Sequence, residues 1–377
     1  MDKNVKISAE LSTLIKAALR GNEDLSLFDN TSPDSARLAI LSRYHQVQSL
    51  LYDYLTAHPG LIHVQDFEDL KAHSINDAVY NMIFLRKSLE LNAALRNNAV
   101  DAFLMKGAFW AWWLYERPGL REFGDIDYFL RKQHITKGLH VLGRFGFQPD
   151  AYRKFLLEDE SVSRLYFETD YQLPLVPDVE SAVKSLEIQW NSSYPRFSYE
   201  FTWEELMSRT MLFEVLGEKI EVPSPDNQLL MMLVHHAGVE QWDKLKYMGD
   251  FVRLLRKFSD TLDWPYVISV ARDKGFYQLL LQSLGLVRML TGEDYGKYIA
   301  GDNLSDYPSD SLASAVLAHW ENRRTKPMTK SWRIFYFNMK YRDRITDKLR
   351  ILLKHVAYLL EWRLLLPKAR WYYRNRV

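Results

Sequence analysis

A change in hydrophobic periodicity near residue 99 constrains the fold of this chain most. Before it, apolar residues recur at helical spacing, most clearly over residues 67–97. After it, residues 100–105 have the apolar composition of a short buried strand, and the aromatic-rich segment from Gly107 to residue 115 predicts a helix. Residues 125–130 then predict a second strand. Strands separated by helices indicate a mixed α/β layer.

The rest of the chain extends this pattern. Further strands are predicted at residues 162–167, 185–190, 211–216 and 219–222, and Thr202 with Glu205 predicts a capping box that starts a short helix. From Pro225 onward the spacing is helical again. A chain of 377 residues has room for two or three domains. We expect helical residues 1–98, a core at 99–222, helical residues 223–330 and a basic helix and tail at 331–377.

Composition excludes several classes of site. The chain has no cysteine, which rules out disulfides, zinc ribbons, iron–sulfur clusters and thiol nucleophiles. The first residues are polar and do not resemble a secretory signal, so we expect a cytoplasmic protein. The most apolar stretches, 103–115 and 351–366, are short and interrupted by charges, so no transmembrane segment is expected.

Charge is distributed unevenly. Residues 321–377 carry 16 Lys or Arg against four acids, so the remainder of the chain is acidic. Within this basic segment, apolar residues at steps of three and four predict a helical stripe that packs on the body; they are Ile345, Leu349, Leu352, Val356 and Leu359. Basic residues should remain outside, namely Arg344, Lys348, Lys354, Lys368, Arg370, Arg374 and Arg376. Two roles are open: charge complementarity with the acidic remainder, or an anionic partner such as the substrate, a nucleic acid or a membrane surface.

The sharpest local feature is the pair Asp125 and Asp127 in the second predicted strand. Side chains alternate along a strand, so both carboxylates should project from one face, about 6.5–7 Å apart. Aspartate is costly to bury in a strand unless a cation or solvent compensates. The pair is therefore either a divalent-metal site or two solvated acids at a strand end.

Residues upstream and downstream add to this interpretation. Lys106 and Gly107 lie where the first strand gives way to a helix, a setting that suits phosphate. Arg121 could also clamp phosphate, or pair with Glu116 or Glu122. For Asp250, a salt bridge to Lys246 or Arg253 is the simplest expectation. In the strand at 185–190, Glu187 and Gln189 share a face, so Glu187 could complete a triad of carboxylates or remain an exposed acid.

Several segments together resemble a known family. They are Leu104-Met105-Lys106-Gly107, Pro118-Gly119-Leu120-Arg121 and Gly124-Asp125-Ile126-Asp127, supported by residues 186–190, 222–236 and 242–250. Across about residues 35–260 the chain resembles the uncharacterised bacterial nucleotidyltransferase family of the polymerase-beta-like superfamily. The resemblance implies a core with a mixed sheet, flanked by helical regions, in which a glycine turn holds a nucleoside triphosphate (NTP).

The resemblance also implies residue roles. Asp125 and Asp127 match the paired acids and Glu187 the third, which together would hold Mg²⁺ or Mn²⁺ and catalyse transfer of a nucleoside monophosphate to an unknown acceptor. Lys106, Gly107 and Arg121 would contact the NTP. Two positions depart from the family: Ala108 supplies no hydroxyl after Gly107, and Gln189 stands where related sequences often have histidine. An inactive nucleotide-binding or adaptor protein with the same fold is therefore the alternative.

Overall fold

The computed structural model describes residues 7–59, 61, 64–299, 304–322 and 327–375, and shows a mixed α/β fold rich in helices. The first helices are α1 (Ala9–Leu19), α2 (Ser35–His45), α3 (Gln48–Ala57), α4 (Val64–Asn97) and α5 (Gly107–Leu114). The middle of the chain adds α6 (Ile135–Gly143), α7 (Ala151–Leu157), α8 (Glu160–Thr169) and α9 (Trp203–Met207). The last are α10 (Pro225–Met232), α11 (Leu245–Phe258), α12 (Trp264–Asp273), α13 (Tyr277–Thr291), α14 (Asp310–Asn322), α15 (Pro327–Tyr341), α16 (Ile345–Leu360) and α17 (Trp362–Asn375).

The strands form two sheets. They are β1 (Ala102–Met105), β2 (Ile126–Leu130), β3 (Phe147–Pro149), β4 (Gln172–Pro177), β5 (Leu186–Gln189), β6 (Thr210–Val215) and β7 (Glu218–Pro223). The first five make one mixed sheet in the order β1-β2-β5-β4-β3, in which only the β2–β5 pair is parallel, and β6 and β7 form a hairpin. The mixed α/β fold expected from the sequence is confirmed.

Contacts divide the chain into two compact units. The helical unit comprises Met1–Met82, Trp110–Phe123 and Pro225–Asp343. The sheet unit comprises Ile83–Phe109, Gly124–Ser224 and Arg344–Val377. The division into four segments expected from the sequence stays a prediction.

Each unit has its own apolar core. In the sheet unit, β1 and β2 bury Phe103 and Phe129, whose rings stack with centroids 5.1 Å apart, and Ile188 of β5 is also inaccessible. In the helical unit, α11 buries Leu245, Met248 and the residues that follow at helical spacing. Burial of such side chains is the main driving force for both units.

The strands in the structure differ from those predicted in three respects. Residues 162–167 lie in α8, because Asp159 caps this helix by accepting hydrogen bonds from two of its first backbone N–H groups, those of Ser161 and Val162. Strands β3 and β4 were not predicted; both contain proline, which usually argues against a strand inside a sheet. Strand β2 begins at Ile126, so Asp125 lies one residue before it instead of within it.

The apolar stripe of α16 does not pack on the body. Ile345, Leu349, Leu352, Val356 and Leu359 are all exposed, with 76% exposure at Ile345 and 68% at Leu359. The opposite face of α16 packs instead, through Ile351 and Asp347. The basic residue Arg376 lies outside the described residues. In the part of the chain that is described, no helix has the length and apolar character needed to span a bilayer.

Candidate metal-binding active site

The register between β2 and β5 brings three acids together. These strands run parallel and pair Asp127 directly with Glu187, so their side chains project from the same face of the sheet. Asp125 precedes β2 by one residue. One carboxylate oxygen from each of the three acids lies within 4.8 Å of the other two. Asp127 is buried, whereas Asp125 and Glu187 remain partly accessible to solvent.

Polar side chains from neighbouring strands contact these acids. Gln189 Nε2 donates a hydrogen bond of 3.0 Å to Asp127 Oδ1 and lies 3.4 Å from Glu187 Oε2. Gln172 Nε2, on β4, lies 3.4 Å from the other Glu187 oxygen. Lys106 Nζ lies 3.7 Å from Asp127 Oδ1. Amide donors and one cation therefore hold the acids in place and offset part of their mutual repulsion.

Electrostatics distinguish Glu187 from an ordinary surface acid. Burial raises the pKa of its carboxyl, and the nearby Asp125 charge raises it further, against the opposing effects of Lys106 and Gln189. A carboxylate that is costly to keep ionised gains most when a cation binds beside it.

A strained turn places Lys106 next to the start of α5. Lys106 has a φ of 51° and Gly107 a φ of 30°, a conformation that favours glycine. The turn directs the buried Lys106 side chain toward Asp127 and opens α5 at Gly107. The backbone N–H groups and the dipole at the N-terminus of a helix suit an anionic group.

The donor set fits a divalent cation. Three carboxylate oxygens are the hard ligands that Mg²⁺ and Mn²⁺ prefer, and the surrounding amides orient them. Among the described residues, a second group, His73, Asp77 and Glu122 of the helical unit, also brings three potential ligand atoms within 4.8 Å. There the imidazole forms ion pairs with both carboxylates, at 3.1 Å and 3.6 Å.

The structure pairs Arg121 with Asp250, an acid other than Glu116 and Glu122, the two considered from the sequence. Its guanidinium is buried and makes a bidentate ion pair with Asp250, with distances of 2.8 Å and 2.9 Å. Tyr115 Oη donates to the same carboxylate, and His236 Nε2 lies 3.4 Å from it. We expected a salt bridge from Asp250 to Lys246 or Arg253. The structure instead pairs Asp250 with Arg121. Burial alone would raise the pKa of Asp250, but Arg121 and His236 hold it well below its usual range.

Sequence reasoning missed Gln172 as a neighbour of the acids. This residue lies at the start of β4, whose prolines Pro174 and Pro177 masked the strand. Alternation along β4 was the available signal, because Leu173 and Leu175 are buried between more accessible residues.

Comparisons with known proteins bear on this site. Residues 31–292, more than half of the chain, match the model of a family described as "Uncharacterised nucleotidyltransferase". The search of curated proteins finds no match. Among solved structures, the chain matches the crystal structure of an antigenic nucleotidyltransferase-like protein from Paracoccidioides brasiliensis, with 13% identity and a TM-score of 0.30 over 52% of this chain and 88% of that one.

Proposed function

The chain belongs to the uncharacterised nucleotidyltransferase family, and on this premise we propose that it transfers a nucleoside monophosphate from an NTP such as ATP to an acceptor hydroxyl or phosphate. The observation that carries the proposal is the convergence of Asp125, Asp127 and Glu187 within 4.8 Å. Acids in this arrangement suit the binding of divalent cations beside a triphosphate.

Asp125, Asp127 and Glu187 would hold the cations through their carboxylate oxygens. When bound, Mg²⁺ or Mn²⁺ neutralises phosphate charge and lowers the pKa of an attacking hydroxyl. Gln189 and Gln172 orient the acids through their side-chain amides, so the ligand oxygens need little rearrangement.

The reaction exchanges one phosphorus–oxygen bond for another. The acceptor oxygen forms a bond to the α-phosphorus while the bond from that phosphorus to the oxygen bridging to the β-phosphate breaks. Pyrophosphate leaves with the bridging oxygen, and the acceptor's proton passes to a base. We assign the base to Glu187, because its partly accessible carboxylate lies beside Asp125 and Asp127 on the same face of the sheet.

Lys106 and Gly107 would contact the triphosphate. Lys106 Nζ lies 3.7 Å from Asp127, an acid that would hold a cation. Gly107 is the first residue of α5, and the backbone N–H groups of the first helical turn suit an anion. Arg121 is not part of this proposal, because Asp250 binds its guanidinium.

The test measures pyrophosphate release. Full-length protein is incubated with each radiolabelled NTP, Mg²⁺ and a cell extract as the source of acceptor, and the labelled product is identified. Asp127→Asn should lower the rate by about 100-fold or more, because it removes an anionic ligand for the cations that would neutralise the reacting phosphates. The matched control is Glu218→Gln, an exposed acid of β7 in the same unit, which should leave the rate unchanged.

Two results would contradict the proposal. An unchanged rate in Asp127→Asn would remove the acids from the chemistry. Magnesium-dependent binding of an NTP, measured by calorimetry, without pyrophosphate release on any acceptor would instead establish the inactive nucleotide-binding alternative.

A further inference from the structure

Helix α16 has two sharply different faces. Its packed face buries Asp347 and Ile351, and Lys354 Nζ on the same side donates hydrogen bonds of 2.9 Å to Pro195 O and 2.6 Å to Glu200 Oε1. These contacts fix how the helix is rotated about its axis. Two polar residues of α16, Asp347 and Lys354, therefore face the sheet unit instead of water.

The face that points away from the sheet unit is apolar. At 100° per residue its exposed side chains span an arc of only about 120°. They are Ile345, Leu349, Leu352, Leu353, Val356, Leu359 and Leu360, with exposures of up to 76%. An unbroken apolar stripe of this length on a surface marks an interaction site.

Helix α17 repeats the arrangement. Leu364 is buried, Trp371 packs on Phe155 with ring centroids 5.4 Å apart, and Lys368 lies 4.0 Å from Asp170, so this side of the helix is held by the sheet unit. The opposite side exposes an aromatic and aliphatic row with arginines beside it. The row is Trp362, Leu366 and Tyr373, and the arginines are Arg363, Arg370 and Arg374.

Charge selects among the possible partners. Residues 344–375 contain eight Lys or Arg and two acids, and one of these acids, Asp347, is buried. A second copy of the chain would bring the same cations face to face, because a twofold contact is made by one patch on both partners. A nucleic acid would satisfy the cations but would not bury leucine and isoleucine side chains. An anionic lipid surface accommodates both.

We propose that α16 and α17 form an interfacial membrane-binding surface for anionic bilayers. The apolar rows would enter the boundary between headgroups and acyl chains, while the arginines contact lipid phosphates and the exposed Trp and Tyr rings lie at headgroup depth. This inference is independent of the proposed catalytic function, since it rests on residues outside the acid cluster.

The test is co-sedimentation of the full-length protein with vesicles. Vesicles of phosphatidylcholine alone are compared with vesicles that also contain phosphatidylglycerol, at low and high salt. We expect strong binding only to the anionic vesicles, weakened by salt. Arg370→Gln with Arg374→Gln should weaken it by about 10- to 30-fold, since each charge near the surface contributes about 1 kcal/mol. Lys184→Gln, an exposed cation elsewhere in the sheet unit, is the matched control.

A second pair of variants tests the apolar row. Leu353→Ser with Leu359→Ser should weaken binding about tenfold or more without lowering the melting temperature, because both side chains are 68% exposed. Leu212→Ser is the control, since Leu212 is 70% exposed on β6. Absence of binding to anionic vesicles at low salt overturns the proposal. Two further results would also overturn it. One is that the protein binds no lipid and forms a dimer that the leucine variants dissociate. The other is that the protein binds no vesicles and binds DNA, with the leucine variants binding DNA as well as wild type.

Discussion

The side-chain amide of Gln189 donates a 3.0 Å hydrogen bond to Asp127 Oδ1 and approaches Glu187 Oε2 at 3.4 Å, so a single nitrogen connects two of the three clustered acids. Parallel pairing of β2 with β5 makes this possible, because it sets Gln189 one pleat beyond Glu187 on the same face. The glutamine thus provides a hydrogen-bond donor to Asp127 and Glu187.

Gln189→Leu should weaken metal binding. The substitution removes the donor that orients Asp127 while leaving all three acids, so we expect the dissociation constant for Mn²⁺, measured by calorimetry, to rise about tenfold. Gln133→Leu is the control, because Gln133 is exposed and outside the cluster. An unchanged constant in Gln189→Leu would show that the amide does not organise the site.

Glu187→Gln should stabilise the metal-free protein and abolish its response to metal. Burial and Asp125 raise the pKa of Glu187, which means that folding disfavours the charged form, and a neutral amide of the same shape avoids this cost. We expect a higher melting temperature than wild type without metal and no further rise on adding Mg²⁺. A lower melting temperature would contradict the electrostatic description of the site.

Asp250→Asn should strongly destabilise the helical unit. The change leaves the buried Arg121 guanidinium without its charged partner, which costs about 3–5 kcal/mol. Tyr115→Phe, which removes one hydrogen bond to the same carboxylate, should cost about 1–2 kcal/mol. Urea unfolding, monitored by hydrogen exchange, would measure both losses of unfolding free energy. Asp260→Asn is the control and should change little, since that acid is exposed. A small effect of Asp250→Asn would show that the pair contributes little to stability.

The contribution of His73 to the free energy of unfolding should be lost at alkaline pH. The carboxylates of Asp77 and Glu122, 3.1 Å and 3.6 Å from its Nε2, raise the pKa of His73 to about 10 against the effect of burial. Because the folded pKa lies above the unfolded value of about 6.5, the stabilisation is complete below about pH 6.5 and is lost as pH rises toward 10. The melting-temperature difference between wild type and His73→Gln should therefore shrink across this range. A difference that stays constant from pH 6 to 10 would argue against an imidazolium at this position.

Local patterns in the sequence were sufficient to predict the elements that carry the candidate site. Alternation predicted β2 and β5, and the break in periodicity at Lys106 and Gly107 predicted the turn that opens α5. These signals are local, because a strand's two faces and a helix's first turn depend on neighbouring residues. The same reasoning failed at β4, where proline opposes a strand and only pairing with β3 and β5 compensates.

Which side chains meet depends on the tertiary fold. Asp127 and Glu187 are neighbours because β2 and β5 share a parallel register, and Arg121 binds Asp250, a residue 129 positions away. It also decided the rotation of α16. Amphipathic spacing shows that a helix has an apolar stripe, but it does not show which face of the helix packs on the rest of the protein. In α16 the hydrogen bonds of Lys354 hold the opposite face against the sheet unit, so the apolar stripe is exposed. Such choices depend on partners distant in sequence, whose positions local spacing does not encode.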